Sequence, residues 1–302
     1  MIAGNGFLDL PDNGPENADL VLLPLPFEGT VSYGKGTAGG PAAILEASRQ
    51  VETWDEETDF DLDSLAFHWA AEVAPENNED HGAYLSRVRE AALAAKKGGS
   101  IIAGVGGEHS ISTPLAIAAL GKEDLSGLTI VQLDAHADLR DSYSGTEHSH
   151  ACVMRRLLDR GARVVAIGLR SVSREEVEYG RSTGRWEPWF ACHLSKAGEA
   201  RERLLELLSG LEGDIYLSID VDSLEVNLSP STGTPEPGGL RWWQAMEYLR
   251  VLLAPSPLRT LTGLDVVETV PSPGSTVNEF TSARLLCKTL AYIHSPAAEL
   301  EN

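Results

Sequence analysis

The 302-residue chain predicts a three-layer α/β/α fold built on a mainly parallel sheet. Three observations carry that reading. Short runs rich in Val, Ile and Leu recur along the chain and stay apolar at successive positions, as in strands covered on both faces. Stretches of helical period lie between them. Clusters of polar, chemistry-bearing residues follow directly on several of the runs, where open α/β sheets bind ligands. There is no internal repeat and no low-complexity linker, so residues 1–302 are read as a single domain.

In chain order, the first strand is expected at Leu20–Leu25 and the first helix at Gly40–Gln50. Pro41 falls in that helix's first turn, where the missing N–H has no intrahelical partner to lose. Glu52–Asp63 is acidic and reads as a surface loop with little regular structure. A helix over Gly82–Lys97 leads into a strand at Ser100–Val105, and a helix over Ser112–Ala119 follows, with Pro114 in its first turn. Strands at Leu128–Leu133 and Arg163–Leu169 flank a helix at Ala151–Arg160. The C-terminal part alternates a helix at Glu199–Leu208, a strand at Asp214–Ile219, a helix at Arg241–Leu253, a strand at Thr260–Val266 and a helix at Val277–Ile293.

Composition narrows the partners. The formal net charge is −21, which repels nucleic acid and anionic lipid and concentrates small cations at the surface. The three cysteines, Cys152, Cys192 and Cys287, form no CxxC pair and no disulfide framework. Cys152 is expected to be a small buried packing residue. The opening residues carry no basic and apolar leader, and no apolar run is long enough to span a membrane, so the expected compartment is the cytoplasm.

Three clusters carry the chemistry. Gly106-Gly107-Glu108-His109-Ser110 follows one strand, Asp134-Ala135-His136-Ala137-Asp138 the next, and Asp220-Val221-Asp222 a third. Residues two apart in extended chain point the same way. Asp134, His136 and Asp138 therefore aim at one point if their strand runs on, and Asp220 and Asp222 do likewise. Carboxylates gathered in a buried crevice repel one another unless cations are present. Carboxylate and imidazole ligands without thiolate suit a moderately hard divalent metal. Four carboxylates balance two such ions, which at about 3.5–4 Å apart can share an activated water. Taken alone, the first cluster also reads as a helix start, with Ser110 or Ser112 as cap and Glu108 solvated, and the third as a strand end with exposed acids. Asp134 to Asp138 directly after an apolar strand resists that blander reading.

The same segments, in the same order, resemble the arginase–agmatinase family, the ureohydrolases. Gly29-Thr30-Val31-Ser32-Tyr33, Gly39 to Ile44, Gly233 to Leu240 and Asp265-Val266-Val267-Glu268 extend the resemblance over nearly the whole chain. It implies an arginase-like fold and two Mn2+ ions per subunit, with nickel, cobalt or iron as substitutes. It implies that His109, Asp134, Asp138 and Asp220 hold one ion and His136, Asp134, Asp220 and Asp222 the other. Asp138, His150 and Glu268 are the implied catalytic residues. Asp138 passes a proton to the leaving nitrogen and His150 shuttles protons, with His148 as its alternative. Glu268 orients the guanidinium through a paired, charge-assisted hydrogen bond. Asp265 is read as structural.

The implied reaction is hydrolysis of agmatine to putrescine and urea, with a small cationic guanidino compound as partner and a homotrimer or homohexamer as assembly. Tyr143 to His150 departs from the arginase pattern, and Ser223-Leu224-Glu225-Val226-Asn227 departs from the family's usual loop. N1-aminopropylagmatine, guanidinobutyrate and arginine are therefore alternative substrates. Glu147 and Glu225 are candidates for an acidic rim that receives an amine tail. A phosphoesterase would carry basic residues around its metals, and a deacetylase would lack this full ligand set. A silent scaffold would have lost ligands, and all six are present. Gly34-Lys35-Gly36-Thr37 lacks the first glycine of a phosphate loop. Trp242-Trp243 reads as packing or an oligomer contact, and Arg155-Arg156 as helix surface or a subunit contact.

Overall fold

The computed structural model describes residues 6–96, 100–196 and 198–295. Strands β1 (Leu20–Leu25), β4 (Phe67–Trp69), β5 (Ile101–Gly106), β6 (Leu128–Leu133), β7 (Arg163–Leu169), β8 (Trp186–Phe190), β9 (Gly213–Asp220) and β10 (Arg259–Val267) form one eight-stranded sheet in the order β4-β1-β5-β10-β9-β6-β7-β8. Every pairing in it is parallel, so the expected mainly parallel sheet is parallel throughout. β1 and β6 are buried at all six positions, which explains their unbroken apolar runs.

Nine helices are described: α1 (Gly40–Ser48), α2 (His81–Ala95), α3 (Ser112–Leu120), α4 (Val153–Asp159), α5 (Arg174–Thr183), α6 (Ala191–Leu194), α7 (Glu199–Ser209), α8 (Trp242–Leu253) and α9 (Val277–His294). Two separate hydrophobic clusters show the sheet covered on both sides. Ile44, Leu249 and Leu286 from α1, α8 and α9 meet one face, and Leu85, Leu115 and Leu157 from α2, α3 and α4 meet the other. Among the described residues no helix is long and apolar enough to cross a membrane. The expected end of the second helix at Lys97 lies outside the described residues.

Four elements escaped the sequence reading, each for a physical reason. β4 has three residues and β8 (WEPWF) contains a proline, and both are edge strands, where a missing ladder donor is tolerated. α5 (REEVEYGRST) is polar nearly throughout, and a capping box between Ser173 and Glu176 marks its start. α6 is a single turn.

Glu52–Asp63 is corrected. It forms an antiparallel hairpin of β2 (Trp54–Asp55) and β3 (Phe60–Asp61) followed by a 3-10 turn. Lys288, buried on α9, draws it in, with Nζ 2.8 Å from Asp55, 2.9 Å from Glu56 and 3.0 Å from Glu57. Those acids looked solvated because their cation lies more than 200 residues away. Trp242 packs on the core, while Trp243 is exposed and carries Lys288 over its ring.

Candidate metal centre and active site

The polar clusters lie at the carboxyl ends of β5, β10, β9 and β6, four neighbours in the middle of the sheet. His109 stands after β5, Glu268 after β10, Asp220 ends β9 with Asp222 just beyond, and Asp134 to Asp138 follow β6. Side chains far apart in sequence meet there, because the parallel order places these strand ends side by side.

Strand alternation is not what aims them. β6 stops at Leu133, and Asp222 sits in a 3-10 turn over Val221–Ser223. The backbone beyond the strands is held by the carboxylates themselves. Asp134 accepts from His136 N at 2.6 Å, Asp220 from Asp222 N at 2.8 Å and Asp222 from Ala135 N at 3.0 Å. Asp138 and Glu268 adopt left-handed backbone, φ 51° and 64°, a conformation that costs a non-glycine residue on the order of 1 kcal/mol or more. Arg170 clamps the surrounding loops by donating to the carbonyls of Asp222 at 2.6 Å and Glu236 at 2.7 Å. Gly107 allows the Glu108 segment to cross the first-strand loop, since a Cβ there would stand 2.0 Å from Phe27 O.

Two ligand-type groups result. His109 Nδ1 lies 3.0 Å from Asp138 Oδ2, 3.2 Å from Asp134 Oδ2 and 3.5 Å from Asp220 Oδ2. His136 Nδ1 lies 2.9 Å from Asp222 Oδ2 and 3.6 Å from Asp134 Oδ1. Asp134 thus turns one oxygen to each histidine. His109 Nδ1 is buried and has no aligned hydrogen bond. Its ring is fixed from behind: Ser218 Oγ donates to Asp265 at 2.8 Å, so His109 Nε2 donates to Ser218, also at 2.8 Å. That leaves Nδ1 as the nitrogen turned toward three carboxylates. Burial opposes a charged ring, yet Asp134 and Asp138 hold His109 well above its ordinary range, so Nδ1 carries a proton in the metal-free chain, in the place a metal would take. The donor set therefore fits divalent cations. Asp265 has the structural place expected of it, and accepts from Tyr216 OH as well at 2.7 Å.

The electrostatics point the same way. Burial, then the charge of Asp134, pushes Asp138 up to about 7, and burial, then the charge of Glu108, pushes Glu268 up to about 8. Burial, then Asp222 and Asp134, also holds Asp220 well above the usual range. Burial opposes a charged His136, yet Asp222 and Asp134 push it up to about 12. In the metal-free folded chain these groups keep protons that the unfolded chain sheds from about pH 4 upward for the carboxyls, and above about 6.5 for His136. The folded state then binds more protons, so metal-free stability falls as pH rises through this window. Metal displaces those protons, so binding tightens with pH. The rise in melting temperature on adding Mn2+ to chelated protein is expected to grow from pH 5 to pH 8. An equal rise at both pH values would refute the assignment.

The cavity over this cluster is about 310 Å³ and is lined by His109, His136, Asp138, Asp220, Asp222 and Glu268 together with His150. His148 is not there. It lines a separate small cavity with Glu147, and Glu147 is paired with Arg156 at 2.7 Å. Neither Glu147 nor Glu225 lines the crevice, so the expected acidic rim is corrected. Its walls are instead Arg140, Tyr143, Ser171, Ser173, Glu176 and Thr234, with Val31 and Ser32 from the first-strand loop. Glu108 is fully buried rather than solvated, and neither Ser110 nor Ser112 caps a helix; Ser110 donates to Glu108. Cys152 is a buried packing residue whose thiol burial pushes up to about 11.

The Arginase family model matches residues 18–293. The chain belongs to the arginase family. It is 33% identical over 280 residues to the N(1)-aminopropylagmatine ureohydrolase of Synechocystis, covering 91% of this chain and 89% of that protein. It is 34% identical over 282 residues to the agmatinase of Pyrococcus horikoshii, covering 92% and 93%. The crystal structure of agmatine ureohydrolase from Thermoplasma volcanium superposes with a TM-score of 0.80 at 29% identity, covering 94% of this chain and 92% of that one. The arginase-like fold expected from the motifs is therefore the fold of this chain. Within this arginase-family site, the sequence reading missed Arg170, Gln132, Ser218 and the roles of Thr30 and Glu108. All hold other groups in place rather than follow a ligand pattern. Gln132 and Ser218 carry a local signal, each a buried polar side chain within a largely apolar strand run; Gln132 donates to Asp134 at 2.7 Å.

Proposed function

We propose that this chain is a two-metal ureohydrolase that cleaves agmatine to putrescine and urea, with Mn2+ as the resident ion. The observation that carries this is the meeting of His109, His136 and four aspartates from the ends of β5, β6 and β9, with Glu268 from the end of β10 in the same cavity. Relatives named both agmatinase and N(1)-aminopropylagmatine ureohydrolase support the substrate class. His109, Asp134, Asp138 and Asp220 hold one ion, and His136, Asp134, Asp220 and Asp222 the other. When bound, the pair supplies Lewis acidity and a water acidified toward neutral pH. Glu268 receives the guanidinium and sets its carbon over the cluster. Asp138 takes up the water's proton and delivers it to the leaving amine nitrogen. His150 exchanges protons with solvent. The assembly is a homotrimer or homohexamer in the cytoplasm.

One wall residue favours a second reading. Arg140 lies against the Tyr143 ring at 5.3 Å and has no ion-pair partner among the described residues. A free guanidinium there favours a carboxylate tail, as in guanidinobutyrate, over an amine tail. Urea release from manganese-loaded protein is measured with agmatine, N1-aminopropylagmatine, guanidinobutyrate and arginine. Fastest turnover of agmatine supports the proposal, and fastest turnover of guanidinobutyrate replaces it with the second reading. No urea from any of them, with two ions per chain, rejects both.

A further inference from the structure

A buried hydrogen-bond chain runs from the first-strand loop to His150. Glu108 accepts four hydrogen bonds: Gly29 N at 2.7 Å and Thr30 N at 2.6 Å on Oε2, Thr30 Oγ1 at 2.7 Å and Ser110 Oγ at 2.6 Å on Oε1. A threonine hydroxyl has one proton, and this one is committed to Glu108. What remains on Thr30 Oγ1 can only accept. It receives the His150 backbone N–H at 3.1 Å, and the ring Nδ1 lies 3.0 Å away. Nδ1 must therefore carry the hydrogen, and Nε2 is left as a lone pair. Ser149 Oγ is a longer second contact to the same nitrogen at 3.4 Å, and the Tyr143 ring meets the imidazole edge-on at 5.8 Å between centroids.

We propose that Glu108 and Thr30 are positioning residues that set the tautomer and ring orientation of His150, so that Nε2 is the nitrogen that exchanges protons at the crevice. This rests on the ureohydrolase reading above for the role of His150, but not for its geometry. Neither residue touches substrate. The pattern parallels the partner that orients a catalytic imidazole elsewhere, with a hydroxyl inserted between carboxylate and ring.

The test is a set of variants. Thr30→Val keeps the volume and removes the oxygen; kcat is expected to fall about 10–100-fold with KM changed less than about threefold. Thr30→Ser restores kcat. Glu108→Gln places an amide donor where Oε1 accepted, which turns the Thr30 proton toward His150 and selects the other tautomer, so kcat falls as in Thr30→Val. In His150→Asn the further change Thr30→Val has no added effect, because Thr30 acts only through His150. Wild-type kcat in Thr30→Val, or a loss that multiplies with that of His150→Asn, overturns the proposal.

Histidine 15N spectra of Mg2+-loaded protein separate this from failure of the functional reading. Even if no substrate is turned over, His150 is expected to show a protonated Nδ1 and an unprotonated Nε2, a preference lost in Thr30→Val. A protonated Nε2 in the wild type overturns the proposal whatever the activity. Circular dichroism melting of each variant confirms that it folds, and Thr30→Val carries the test if Glu108→Gln does not.

Discussion

Asp134→Asn is expected to lower urea release by about 10³-fold or more and to reduce bound metal below two ions per chain. Asp134 is fully buried and presents one oxygen toward His109 and the other toward His136, so it stands between the two ligand groups. An amide keeps the shape but gives up a negative charge and one ligating oxygen. Metal-based stabilisation of transition-state charge is worth several kcal/mol, and each 1.36 kcal/mol is tenfold in rate. Gln132 adds to the effect. Its Nε2 donates to Asp134 Oδ2 at 2.7 Å, and an amide nitrogen placed there would leave two donors face to face. Plasma emission spectrometry of dialysed protein and a urea assay check both halves. A variant that keeps two ions and falls less than tenfold would show that Asp134 does not bridge them.

Glu268→Gln is expected to lower kcat/KM by about 10²–10³-fold while two metals remain bound. Glu268 Oε1 accepts from His109 N at 2.8 Å, and the glutamine carbonyl can keep that bond, so the backbone around His109 is preserved. What is lost is the negative charge that would meet a guanidinium. Removing one partner of a buried ion pair costs about 3–5 kcal/mol, and the lower part of that span, about 3–4 kcal/mol, converts to the stated range. Glu268 sits in a left-handed backbone conformation directly after β10, and its buried carboxyl is pushed up to about 8. Such strain and such a charge are retained where a cationic ligand offsets them. Steady-state kinetics with matched metal analysis decides the matter. Unchanged kcat/KM would remove Glu268 from substrate orientation, and loss of metal would recast it as support for His109.

Much of this was legible in the residues themselves. Buried parallel strands must be apolar on both faces, so β1, β5, β6, β7, β9 and β10 announced themselves as runs of Val, Ile and Leu. Ligand side chains are costly to bury without cations, so Asp134, His136 and Asp138 stood out against the strand that precedes them. The choice between His148 and His150 was not legible. Both are histidines two positions apart, and only the packing of the 3-10 turn at His150–Cys152 puts one in the crevice and the other beside Glu147.

The sequence by itself thus determined the layer type, six of the eight main-sheet strands and the set of metal-binding candidates, because each depends on residue chemistry and local period. Tertiary structure decided the sheet order, which brings β5, β10, β9 and β6 side by side. It also decided the partners that aim the site: Asp265 through Ser218 to His109, Glu108 through Thr30 to His150, and Arg170 across the loops. Those hydrogen bonds join residues tens to more than a hundred positions apart. No local pattern encodes them, since a buried polar group takes whichever partner the fold brings within reach.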